Sequence, residues 1–167
     1  MGSILIGNLC SLLGMAADTL SASRKTARGV LLVQIIGQAC YGMSSLVLKG
    51  YSAVVQNCVS ILRNLLAMRG RSIPGIEWLL VALGVGLGIV FNNQGVIGWL
   101  PIIANLEYSV AVFRFKDNEY ALKAAFAVCV ALFAVFNLAI LNIVGAASNA
   151  VVLLTTLAFL LKTRKAR

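Results

Sequence analysis

Residues 24–28, Arg24-Lys25-Thr26-Ala27-Arg28, separate an apolar stretch at about 4 to 22 from another at 29 to 48, and the reading of that basic connector decides the fold. Each stretch is near the length that the roughly 30 Å hydrocarbon core of a bilayer requires. Working outward, further apolar stretches occupy about 51 to 68, 76 to 91, 97 to 113, 121 to 140 and 143 to 161. The connectors between them alternate in charge. Arg69 and Arg71 follow the third stretch, Arg114, Lys116 and Lys123 surround the junction of the fifth and sixth, and Lys162, Arg164, Lys165 and Arg167 form the tail. The opposite connectors carry Lys49 alone, with no basic residue in Asn92-Asn93-Gln94 or around Asn142. Basic residues accumulate on the cytoplasmic side of membrane proteins. The pattern therefore predicts an all-α membrane protein of seven transmembrane helices, with its amino terminus outside and its carboxyl terminus in the cytoplasm.

The chain is 60% hydrophobic and 11% charged, with a mean hydropathy of +0.95, far from the usage of a water-soluble domain. A net charge of +9 would suggest nucleic acid in a soluble chain. Here it falls in short connectors, where it orients helices and meets anionic lipid, so no nucleic-acid partner is expected. The first stretch lacks a basic region ahead of it and a convincing cleavage site, so a removable signal peptide is not expected. Met1-Gly2 is no myristoylation signal, because Ile6 stands where that pattern needs Ser or Thr. Cys10, Cys40, Cys58 and Cys129 all fall inside apolar stretches, form no Cys-x-x-Cys pair, and read as small packing groups. With no histidine in the chain, no metal site and no cofactor are expected, and the commonest general base is missing.

Comparing the chain with itself accounts for the odd number of spans. A shift of 91 sets Ile6-Gly7-x-Leu9 on Ile97-Gly98-x-Leu100, and a shift of 92 sets Arg24 on Lys116, Tyr41 on Phe133, Asn57 on Asn149 and Leu65 on Leu157. Spans one to three then repeat as five to seven, and the fourth is an unpaired linker that lets both triplets keep one orientation. The division is a first three-helix repeat at 1–70, a linker helix at 71–95 and a second repeat with a basic tail at 96–167. Parallel repeats of this kind are a transporter plan, with the solute site near the midplane between the units.

The segments Gln38-Ala39-Cys40-Tyr41-Gly42, Gln56-Asn57-Cys58-Val59-Ser60-Ile61-Leu62-Arg63-Asn64 and Asn92-Asn93-Gln94-Gly95, with Gly98-Trp99-Leu100-Pro101, resemble the YgjV family of bacterial inner-membrane proteins. The resemblance covers nearly the whole chain and implies residence in the bacterial inner membrane. That family is itself similar to the MtN3 superfamily of SWEET sugar facilitators, PQ-loop transporters and PnuC vitamin transporters, in which two three-helix bundles enclose a central solute site. The wider resemblance implies a solute-binding asparagine pair on the third and seventh spans, which falls on Asn57 and Asn149. It also implies a helix-bending hinge proline early in each repeat. Pro101 supplies the second, whereas Cys10 stands at the matching place in the first and no Pro-Gln pair occurs.

Polar side chains within the stretches carry the rest of the reading, since an unpaired amide in hydrocarbon costs several kcal/mol. Asn57 and Asn149 each lie about six residues inside the outer start of their spans, about 9 to 10 Å deep at 1.5 Å per residue. Their equivalence favours a shared cavity, and the alternative is that each amide ties helices together. Gln34, Gln38 and Tyr41 share one helical face of the second span, facing either that cavity or their own bundle. Asn57, Ser60 and Asn64 make a similar stripe on the third. Asp18, Arg63 and Glu107 lie at one level, about 9 to 11 Å from the cytoplasmic boundary. They read either as a structural ion pair or as an inner gate or proton site. Gly84, Gly86 and Gly88 read as a close-packing stretch and not a phosphate loop, because no strand precedes them.

These features point to a transporter or facilitator of a small polar solute, working by alternating access between the two bundles. Membrane lipid is the other expected partner, and homo-oligomerisation is left open. The competing reading is a non-transporting sensor, chaperone or interaction subunit on the same scaffold. An enzyme is not expected, since no nucleophile and base pair is visible.

Overall fold

The structure is a computed structural model that describes residues 1–22, 27–68, 75–115 and 118–165; within the helices the side chains of a few residues, Asp18 among them, lie outside that description. The described residues form seven helices and no strand: α1 Gly2–Ala22, α2 Ala27–Val47, α3 Tyr51–Met68, α4 Ile76–Val90, α5 Trp99–Arg114, α6 Glu119–Ala139 and α7 Ile143–Lys165. Each apolar stretch of the sequence forms one helix, with ends within a few residues of those expected. Two of them, over Tyr120–Ala139 and Ile143–Thr163, are long and apolar enough to cross a membrane on their own. The apolar parts of α1, α2 and α4 are shorter, while α3 and α5 are interrupted by polar side chains such as Gln56, Asn57, Arg63, Asn105 and Glu107.

Helix neighbours define a ring. α1 packs on α2, α2 on α3, α3 on α5, α5 on α6, α6 on α7, and α7 back on α1, while α4 lies outside against α3 and α5. Exchanging α1, α2 and α3 with α5, α6 and α7 maps every contact of that ring onto another contact of it.

The α2–α3 and α6–α7 turns are built alike. Lys49 (φ 59°) and Leu141 (φ 61°) are the non-glycine residues with left-handed backbones among those described. Around Lys49 the bonds are Leu48 N to Ser44 O, Lys49 N to Leu46 O, Gly50 N to Ser45 O and Val54 N to Gly50 O. Around Leu141 they are Ile140 N to Phe136 O, Leu141 N to Leu138 O, Asn142 N to Asn137 O and Ala146 N to Asn142 O. These four bonds of the first turn recur 92 residues later, while Ala53 N to Gly50 O is replaced by Gly145 N to the side-chain Oδ1 of Asn142. These are left-handed helix C-caps, in which orphan carbonyls of the ending helix are taken up by the residues that leave it.

Each turn is gripped by an asparagine from across the ring. Asn8 of α1 accepts from Val144 N at 2.8 Å and donates to Leu141 O at 3.0 Å. Asn93, in the connector before α5, accepts from Tyr51 N at 3.2 Å and donates to Lys49 O at 2.7 Å. One side chain thus caps the start of a helix and the end of its predecessor together.

Burial is inverted relative to a water-soluble protein. Large apolar side chains face outward, with Leu5, Leu13 and Leu154 each more than 60% exposed, while Ser11, Ser44, Ser52, Gln56 and Asn142 are almost wholly inside. Small residues let the helices approach closely: Ser11 Oγ donates to Ser44 Oγ at 2.8 Å between α1 and α2. The apolar core is correspondingly small, with Phe136 and Ile140 of the α6 end packed on Ala53 of α3. Gly50 is needed there, since a Cβ would sit 2.8 Å from the Phe136 ring.

Candidate functional site: a two-walled central cavity

Within the ring, α2, α3, α5, α6 and α7 line a partly open cavity of about 200 Å³. Its wall reproduces the 92-residue relation of the turns: Gln38 and Val130, Tyr41 and Phe133, Ser45 and Asn137, Gln56 and Ser148, Asn57 and Asn149, and Ser60 and Val152 all line it. The two sides differ in chemistry. The side from α2 and α3 is polar at each of these six places, whereas the α6 and α7 side places Val130, Phe133 and Val152 opposite Gln38, Tyr41 and Ser60 in the pairing.

On α3 the lining residues Ala53, Gln56, Asn57, Ser60 and Arg63 recur mostly at spacings of three or four, one helical face. They extend over about 15 Å at 1.5 Å per residue. Ala53, Ser45, Asn137 and Asn142 line the end near the α2–α3 and α6–α7 turns; Arg63, Tyr108, Phe126 and Cys129 line the opposite end. The Tyr108 and Phe126 rings pack with centroids 5.3 Å apart and planes tilted by 49°.

Several amides are already committed. Gln56 Nε2 donates to Gly84 O at 2.8 Å and Gln56 Oε1 accepts from Asn105 Nδ2 at 2.6 Å, so one side chain ties α3, α4 and α5 together. Gly84 and Gly88 are the buried glycines of α4; a Cβ on Gly88 would meet Gln56 Nε2 at 2.8 Å. Asn142 donates to Asn137 Oδ1 at 2.9 Å and accepts from Gly145 N at 3.0 Å. Tyr41 and Ser148 hydroxyls lie 3.4 Å apart, bridging α2 and α7.

Others keep capacity for a guest. Asn57 Nδ2 bonds to Ala53 O of its own helix at 2.9 Å, which leaves its carbonyl oxygen unused. The side chains of Asn149 and Gln38 line the cavity and make no hydrogen bond within the described residues.

Of the residues expected from the sequence, Asn57, Asn149, Gln38, Tyr41 and Arg63 line the cavity. Gln34 does not. Although it shares a helical face with Gln38, its Oε1 accepts from Asn64 Nδ2 at 3.5 Å, nearer the basic end of the helices. Glu107 also lies off the wall, and its Oε2 is buried without a hydrogen-bond partner. No ion pair joins it to Arg63 among the described residues, so the level shared by spacing does not become a contact. Asp18 lies outside the described side chains. Pro101 is fully buried in the first turn of α5, where backbone N–H groups have no intrahelical partner to lose.

Asn105, Tyr108, Asn137 and Ser148 also line the cavity without having been singled out in the sequence. For Asn137 and Ser148 the signal was present: the 92-residue shift places them on Ser45 and Gln56.

The model of the Imp-YgjV family, described as bacterial inner membrane protein, matches residues 5–167. The chain belongs to that family. An inward-facing polar cavity and an outward apolar surface suit a protein of the inner membrane. No curated protein and no solved structure matches the chain.

Proposed function

We propose that the protein crosses the inner membrane seven times, with its amino terminus outside and its carboxyl terminus in the cytoplasm, and carries a small polar solute by alternating access. In this reading 1–70 and 96–167 are the two moving units and 71–95 holds them in one orientation, the plan of the MtN3 and SWEET superfamily. No chemical transformation of the solute is involved. The observation that carries the proposal is the cavity, which both units line at equivalent positions. Asn57 and Asn149 are its solute contacts, with Gln38 and Tyr41 beside them. Amides with unused donors and acceptors in a water-poor site favour a solute that hydrogen-bonds in return.

The test is uptake of solutes into liposomes containing the purified protein, paired with thermal unfolding in their presence. Uptake that is lost in Asn57→Ala and Asn149→Ala supports the reading. Stabilisation by solutes without uptake would instead support a sensor on the same scaffold, and neither effect for any small metabolite would remove the solute site.

A further inference from the structure

At the end of the cavity away from the α2–α3 and α6–α7 turns, Arg63 is the charged residue of the wall, and no Asp or Glu among the described residues lines it. Arg63 makes no ion pair and no hydrogen bond within the described residues. A guanidinium carries five N–H donors in a fixed fork and stays charged. Arg63 is half-buried, and the acceptor that best fits its unused fork is a planar, two-oxygen anion.

We infer that the cavity takes a small monocarboxylate, its carboxylate held by the Arg63 guanidinium and its body lying between the polar α2–α3 side and the Val130, Phe133 and Val152 patch of the α6–α7 side. This rests on the solute-site reading above and narrows its substrate class. Three features select the class. The positive charge of Arg63 matches one negative charge; a dianionic phosphate would leave a second charge unmatched. Phe126 and Phe133, with the Tyr108 ring against Phe126, offer an apolar surface within reach of the same end. A space of about 200 Å³ is somewhat larger than the roughly 150 Å³ apolar cavity that admits benzene, which suits an acid of a few carbons or a single ring.

Purified protein is titrated by thermal shift with acetate, butyrate, benzoate and phenylacetate, each against its neutral amide, and with phenyl phosphate. The best carboxylate should bind about tenfold or more tighter than its amide, the range of a charge-assisted hydrogen-bonded pair. In Arg63→Gln that preference should collapse while binding of the amide persists; Glu107→Gln, which lies off the wall, should keep it. To keep the test independent of any instability in Arg63→Gln, modification of Arg63 by phenylglyoxal is followed in the otherwise unaltered chain by peptide mapping. Arg63 is partly exposed on that end of the wall, so benzoate or phenylacetate should slow the reaction and the amides should not. Amides that bind and protect as well as the acids would overturn the carboxylate assignment yet leave a transporter of neutral solutes standing. Tighter binding of phenyl phosphate would overturn it in favour of a dianion. Neither acid, amide nor phosphate binding would overturn this inference, while the solute site beneath it is decided separately by the uptake and unfolding test above.

Discussion

Lys49 and Leu141 occupy the same left-handed backbone conformation, at φ 59° and φ 61°, in turns that share four backbone hydrogen bonds at a separation of 92 residues. Neither is glycine, although the conformation costs a residue with a Cβ about 1 to 2 kcal/mol. Both side chains are exposed, so packing does not compensate. Lys49→Gly and Leu141→Gly should each raise stability by about 0.5 to 1 kcal/mol, the relief of strain less the greater entropy glycine has when unfolded. The two sites are in separate turns, so the double variant should gain roughly the sum. Equilibrium unfolding in detergent measures this, and a loss of stability in either variant would contradict the account of the turns.

The clasps make the opposite prediction. Asn8→Ala removes the acceptor for Val144 N and a donor to Leu141 O; Asn93→Ala removes the corresponding bonds to Tyr51 N and Lys49 O. Each should lower stability by about 0.5 to 2 kcal/mol in the same unfolding measurement, as losing a helix cap does. Asn8→Asp, which keeps the acceptor and loses the donor, should recover part of the loss.

On α4 the neighbouring glycines Gly86 and Gly88 should respond oppositely to alanine. A Cβ at Gly86 meets nothing within 4 Å, whereas one at Gly88 meets Gln56 Nε2 at 2.8 Å and Ile102 Cγ1 at 2.9 Å. Gln56 cannot give way cheaply, because it is bonded to both Gly84 and Asn105. Gly86→Ala should be neutral or stabilising by up to about 1 kcal/mol from helix propensity. Gly88→Ala should destabilise by about 1 to 3 kcal/mol. Equal thermal shifts in the two variants would show that α4 does not pack as described.

The helices were legible because the apolar stretches end at basic clusters, glycines or asparagines, and such boundaries act locally. The ring was not, since the order in which helices neighbour one another depends on contacts between distant segments. Gln34 illustrates the limit of spacing: four residues from Gln38 it shares a face, but a face says nothing of depth, and Asn64 claims its amide oxygen. Glu107 illustrates the converse. Counting residues gave its level, but it precedes Tyr108, which lines the cavity, and successive helical residues point about 100° apart. Asn137 and Ser148 were readable through the internal shift, whereas Asn105 and Tyr108 have Leu13 and Ala16 at the shifted positions and left no such trace.

The proposed topology rests on the charge of connectors that themselves lie partly outside the described residues, and it can be checked without a solute. Gln94 lies in the connector between α4 and α5, where its Nε2 donates to Lys49 O at 2.9 Å, so it belongs to the same end as the α2–α3 turn. Lys165 closes α7 at the opposite end. With the native cysteines replaced, a cysteine at Gln94 should react with a membrane-impermeant maleimide added to intact spheroplasts, and one at Lys165 should react only after the membrane is opened. Substituting Gln94 removes one of two donors to Lys49 O, the other being Asn93, so the turn should survive the change. Basic residues retained on the cytoplasmic side are the physical reason for this orientation. The reverse labelling pattern would invert the membrane orientation. Labelling of both sites from one side would exclude an odd number of spans between them and with it the seven-span reading.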